Sequence, residues 1–274
     1  TYRVTIRTRG IKYEHGHRLF ASFVGFLVII ELIWVWIAEK KTGGSLLRKI
    51  ATSALIAVCL QGVLGGLTVL MQLPTAVSAS HGMLAQTFLI LTVWLVLATS
   101  EKWSRLQTVR VAVSKFAKYL FGVTFFFTFV QIFLGALTRH TYSGMAIPDF
   151  PLAFGKIVPD FSQYNYQVVI HYCHRVGALL LTILTTIQLT IVLRSGNKMS
   201  LVRTPAIISA LLILLQITLG ALIILTVRDV VPNTAHVAVG SLILISNAIV
   251  FILSQRNFEV EQEKVSVFAV STQI

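Results

Sequence analysis

Long apolar runs separated by short polar stretches dominate this chain. Residues 18–38, 50–71, 80–99, 114–137, 168–193, 203–227 and 234–254 are each long and apolar enough to cross a bilayer. About 20 residues in a helix suffice to span roughly 30 Å of hydrocarbon. Inside lipid, every backbone N–H and C=O must find its partner within the protein, so each run is predicted to be an α-helix. The expectation is an all-α membrane protein with seven visible transmembrane helices. Residues 1–16, with Arg3, Arg7, Arg9 and Lys12, are expected to form a basic loop. The stretch from about 255 is expected to be a polar tail.

The runs repeat. Gln61-Gly62-Val63-Leu64-Gly65, Gln131-Ile132-Phe133-Leu134-Gly135 and Gln216-Ile217-Thr218-Leu219-Gly220 share one pattern, each followed by a small residue and Leu. Gln61 and Gln216 are 155 residues apart, as are His81 and His236, while His17 and His174 are 157 apart. This agreement predicts two pseudo-symmetric four-helix bundles, residues 1–112 and 113–274. The second half shows four runs and the first three. The repeat therefore predicts one further span ahead of residue 1. The small residues allow close helix approach. The glutamines are placed to bond between helices or to a cofactor edge, and the sequence leaves both open.

Composition agrees with a membrane protein. The 274 residues are 55% hydrophobic and 12% charged, against roughly 25% charged in soluble domains. Mean hydropathy is +0.81. The net charge of +13 reads as basic loops held on the cytoplasmic side rather than as a nucleic-acid surface. Arg48, Lys49, Lys102, Arg105, Lys115, Lys118, Arg194 and Arg203 all fall on the face reached by the C-terminus. That face is expected to be cytoplasmic, which sets the histidines toward the outer face. Cys59 lies within an apolar run and Cys173 beside His174, with no Cys-x-x-Cys motif. Both read as packed thiols, not as a zinc site or a covalent haem attachment.

Ionisable groups inside a membrane mark function. Tyr13-Glu14-His15-Gly16-His17-Arg18 opens the first run, and His171-Tyr172-Cys173-His174-Arg175 opens the fifth. Each is answered by a later histidine, His81 and His236. Two helices of one half then offer a histidine each at matched depth, a pattern suited to both axial positions of a haem iron. Arg18 and Arg175 stand where guanidinium groups could pair with haem propionates or anchor the membrane boundary. A zinc or copper site would need a third or fourth ligand. Glu14, His15 and His17 could supply part of one, but the second half has no matching acid. Glu14 stands three residues before His17, where the second half has His171. That asymmetry suggests one catalytic half and one electron-transfer half; the simpler role for Glu14 is an ion pair with Arg18. His15 and His171 read as supporting residues, and His140 has no assigned role.

These residues resemble the haem A synthase family. The resemblance rests on Glu14-His15-Gly16-His17-Arg18, His81, Gly135-Ala136-Leu137-Thr138-Arg139, Ser143-Gly144-Met145-Ala146-Ile147-Pro148-Asp149-Phe150-Pro151-Leu152, His171-Tyr172-Cys173-His174-Arg175 and His236. It implies a resident haem b on His174 and His236, and haem O as substrate beside His17 and His81. It implies that Glu14 is the catalytic acid and that a methyl group of haem O becomes a formyl group through alcohol and gem-diol stages. The outer-loop cysteine pairs of many members are absent here, where the loop reads Met145-Ala146-Ile147-Pro148-Asp149. Implied partners are haem O, membrane lipid and haem O synthase, with self-association open, the electron donor unassigned and nucleic acid excluded. The alternatives are a quinol-linked di-haem b electron carrier that leaves haem unmodified, and a transporter or haem chaperone.

Overall fold

A computed structural model of the chain describes residues 2–42, 45–100, 109–110, 113–255 and 259–260, with side chains described over 14–39, 45–100, 113–196 and 199–255. Seven helices carry it: α1 (Tyr2–Thr42), α2 (Leu46–Leu70), α3 (Thr75–Thr99), α4 (Lys115–His140), α5 (Tyr166–Arg194), α6 (Ser200–Leu225) and α7 (Val230–Gln255). All seven are long and apolar enough to span a membrane, α1 doing so over Glu14–Glu39. A short pair, β1 (Val109–Arg110) and β2 (Glu259–Val260), is antiparallel. The expected charges Lys102 and Arg105, and most of the polar tail, lie outside the described residues.

The basic stretch expected as a loop is instead helical, because α1 begins at Tyr2. It holds no proline, and a helix already nucleated in the span extends cheaply. Elsewhere the helices overrun the apolar runs by a few residues where polar groups cap them. The Glu39 carboxylate accepts the Leu47 N–H at 2.9 Å and the Arg48 N–H at 3.1 Å, satisfying open donors at the start of α2. Arg48 Nε adds a bond to the same carboxylate at 3.2 Å. Ser114 Oγ and Asn165 Oδ1 accept from Ala117 and Gln167 and cap α4 and α5.

Helices α4, α5, α6 and α7 close a ring, each packing on two others, while α1 packs on α2 and α2 on α3. Helix α3 also packs against α4 and α7. Val35, Ala51 and Leu95 form one buried cluster, and Val192, Ala206 and Val250 belong to another. The members correspond at the repeat spacings of 157 and 155 residues. Between α3 and α7, Gln86 Nε2 donates to Ser241 Oγ at 2.9 Å, across a separation of 155 residues.

One side chain ties the last four helices together. Asn247 of α7 accepts on Oδ1 from Gln188 Nε2 of α5 at 3.0 Å and from Ser209 Oγ of α6 at 2.8 Å. Its Nδ2 donates to Thr128 Oγ1 of α4 at 2.9 Å. All four residues are buried. Interhelical hydrogen bonds each contribute modestly in membranes, but stranding several buried groups together costs more. Asn247→Leu is expected to lower stability by about 2 kcal/mol, measured by reversible denaturation in mixed micelles.

Candidate functional site

Three of the four candidate histidines sit in the same kind of seat. A Cβ built on Gly65 of α2 would lie 3.2 Å from His81 Cε1, and one on Gly135 of α4 would lie 3.2 Å from His174 Cε1. On Gly220 of α6 it would lie 3.4 Å from His236 Cε1. The His81 and His174 rings lie tightly over these glycines, and the His236 ring would meet a Cβ at ordinary contact distance. Four residues earlier, on the same helix face, stands the repeated glutamine. Gln61 Nε2 is 3.4 Å from His81 Nε2, and Gln131 Nε2 is 3.1 Å from His174 Nδ1 and donates to the His174 carbonyl at 2.8 Å. Gln61 Oε1, His81 Nδ1, Gln131 Oε1, Gln216 Oε1 and His236 Nδ1 are all buried without partners. Gly177 extends the α5 seat, because a Cβ there would overlap Gln131 Oε1.

His174 and His236 meet. Their ring centroids are 6.3 Å apart with 66° between planes. A metal bonded at about 2 Å to one nitrogen of each ring would hold the centroids roughly 6 Å apart. A ring bound through Nε2 carries its proton on Nδ1 and needs an acceptor there. Gln216 Oε1 and His236 Nδ1 are both buried without partners and could meet that need together, whereas the Gln131 atom facing His174 Nδ1 is its amide nitrogen. The residues present therefore fit a haem iron held between α5 and α7. Among the described residues, no group of three or more His, Cys, Asp or Glu side chains converges as a closed metal cage would require.

The α1 residues are arranged differently. Glu14, His15, His17 and Arg18 are exposed. Arg18 Nη2 donates to Glu14 Oε1 at 2.7 Å, so the i, i+4 pair foreseen as the simpler role does form. At this exposure such a pair contributes less than about 1 kcal/mol, and it leaves Glu14 free to exchange partners. His17 and His81 stand on α1 and α3, and their rings make no stacked or edge contact among the described residues.

The loop between α4 and α5 covers the N-terminal end of α5. Arg175 holds it through three donors: Nη1 to Leu152 O at 2.8 Å, Nη2 to Ile147 O at 3.1 Å and Nε to His171 Nε2 at 3.3 Å. The Ile147 N–H also points at His171 Nδ1, at 3.3 Å. A neutral imidazole has one accepting nitrogen, so only one of these two contacts is a hydrogen bond at a time. Ile147, Ala153 and Val168 pack beneath the loop. Asp149 accepts the N–H groups of Phe154 and Gly155, each at 2.8 Å. Helix α4 ends at His140, whose carbonyl accepts from Thr75 Oγ1 at 3.1 Å.

Comparison with known proteins follows the same residues. The COX15-CtaA family, described as cytochrome oxidase assembly protein, matches residues 7–248. The chain belongs to this family. The COX15-CtaA match takes in Glu14 and all four candidate histidines. Among similar proteins is the heme A synthase of Halalkalibacterium halodurans, 28% identical over 89% of this chain and 80% of its own. The heme A synthase of Alkalihalophilus pseudofirmus is 28% identical over 84% of this chain and 75% of its own. That of Symbiobacterium thermophilum is 29% identical over 81% and 72%.

Within this COX15-CtaA chain, sequence reasoning missed the loop-holding bonds of Arg175 and the Asn247 network. Neither has a local motif. The seats could have been found by setting the Gln-x-x-x-Gly spacing beside the histidine repeat. Hydrogen bonds from Gly155 and Phe154, aided by the Arg175 charge, hold the Asp149 carboxyl below its ordinary value of 3.8 despite partial desolvation. A lowered carboxyl stabilises the loop above that pH and ceases to do so as pH falls through the folded value. Amide exchange across residues 149–157 is expected to accelerate below about pH 3.8, and Asp149→Ala is expected to show the same acceleration at neutral pH.

Proposed function

We propose that this protein is a haem A synthase, oxidising a methyl group of haem O to a formyl group through alcohol and gem-diol stages. The observation that carries this reading is the His174–His236 pair at 6.3 Å, joined to a second histidine set that alone has a carboxylate. The relatives' names support it. The net change adds one water and removes four electrons and four protons, so the site must handle protons as well as electrons.

When bound, haem b supplies one-electron redox capacity on the α5–α7 side. His174 and His236 hold it, Gln131 and Gln216 orient the rings, and Gly135 and Gly220 leave the space. Arg175 and Arg18 stand at the same ends of their helices, where guanidinium N–H groups not used by the loop or by Glu14 suit propionates. His17 and His81 hold the substrate haem O. Glu14, three residues from His17, is the acid–base group at the methyl side. Arg18 bonds its carboxylate at 2.7 Å.

On this reading the chain comprises two pseudo-symmetric halves, residues 1–112 with the substrate and the four-helix bundle 113–274 with haem b. The matched clusters of the two halves support it, as does the Gln86–Ser241 bond at the repeat spacing. The protein sits in the cytoplasmic membrane with the histidines toward the outer face and the C-terminus inside, as the basic connections indicate. Haem O synthase is the partner that the supply of haem O calls for. A di-haem carrier that leaves haem unmodified would give Glu14 no task.

Glu14→Gln is expected to lower haem A formation at least a hundredfold while haem b is retained, read by mass spectrometry of extracted haems; normal haem A would refute the role of Glu14. His174→Ala is expected to lose haem b. Gly135→Val, which crowds His174 but leaves both ligands, is expected to shift the optical and electron paramagnetic resonance signals of haem b without abolishing binding.

A further inference from the structure

The covered stripe of α1 contains an acid. Val28, Val35 and Glu39 are buried on this helix, and Val24, Gly25, Glu31 and Leu32 are partly covered. These positions recur every three or four residues, so Glu31 lies on the face that packs against α2 rather than on the face turned to lipid. It is one turn from Val35, whose repeat counterpart is Val192.

The counterpart of Glu31 is Gln188, at the same spacing of 157 residues. Gln188 is wholly buried and donates to Asn247. The matching positions around Glu31 differ from those around Gln188. Ala54 stands where the second half has Ser209, and Thr92 where it has Asn247. Thr92 Oγ1 donates to its own helix at Phe88 O, 3.0 Å away. Glu31 itself makes no hydrogen bond or ion pair among the described residues.

Among the described residues, no neighbouring charge balances it. The ionisable side chains of α2 are Arg48, which binds Glu39, Lys49 at the helix start, and Cys59, which is exposed. On α3 there is only His81, far toward the other end. On α1 itself, Glu14, His15, His17 and Arg18 stand at the opposite end of the span, and Glu39 is two turns away and engaged. An uncompensated carboxylate at this depth is strongly disfavoured, whereas a neutral carboxylic acid is not.

We propose that Glu31 is a proton-binding site within the membrane, a carboxyl group that is protonated at rest and can release or regain that proton. It stands in the half that carries Glu14, where the other half has only a neutral amide. Its use in balancing charge during haem O oxidation rests on the function proposed above; its protonation does not.

Dicyclohexylcarbodiimide, an apolar reagent, adds whole to a protonated carboxyl group and rearranges to a stable N-acylurea. With the full protein in its membrane, we expect this adduct on the Glu31 peptide by mass spectrometry. Labelling should fall about tenfold per pH unit once the pH exceeds the group's pKa. Glu31→Gln, which installs the residue the second half already carries, should abolish the adduct, and Glu14→Gln should leave it. The infrared difference between wild type and Glu31→Gln should show a carboxylic C=O band. Absence of both adduct and band would mean a charged, paired carboxylate and would overturn the proposal. An adduct in a protein that leaves haem O unaltered would sustain the proton site and sink the synthase reading.

Discussion

An imidazole lies close against a facing helix most readily where that helix presents a small residue. That constraint governs this molecule. Gly65, Gly135 and Gly220 each stand opposite a histidine ring, and a Cβ at Gly65 or Gly135 would press on it. A glutamine one turn away then provides polar contact for a ring or stands ready to do so. The Gln-x-x-x-Gly pattern is thus more than a helix-packing motif. It leaves room for a ring and adds a polar partner without adding a charge to the membrane.

Below the seats, Asn247 makes the relative positions of α4, α5, α6 and α7 mutually dependent. A buried amide can bond to three helices only if all are in register. The His174–His236 separation therefore depends on helix positions fixed well beneath it, and the loop clamped by Arg175 covers the N-terminal end of α5. The first half has no matching polar knot among the described residues. It has the exposed Glu14–Arg18 pair at one end and Glu39, capping α2, at the other.

The spans were legible in the sequence because lipid imposes one rule on every residue of a run, and hydropathy reports it. Their ends were less legible. Helix α3 begins at Thr75, directly after Pro74, well ahead of the apolar run, and α1 continues back to Tyr2 through basic residues. The approach of His174 to His236 was legible from the matched histidine spacings; a like approach of His17 to His81 is not seen among the described residues. The tertiary partners were not. Gln188, Ser209, Asn247 and Thr128 are scattered polar residues in four separate runs, and only packing brings them together. Arg175 likewise finds its loop carbonyls through a fold that no local pattern announces.

The bond between Gln86 and Ser241 joins two positions that the repeat makes equivalent. Two copies of one element meeting at an axis would present the same side chain to itself. Two glutamines would crowd such a place, and two serines would fall short of each other. A long amide facing a small hydroxyl spans the gap with a single bond. The seam between α3 and α7 is therefore handed: of two positions 155 residues apart, one reaches and the other receives.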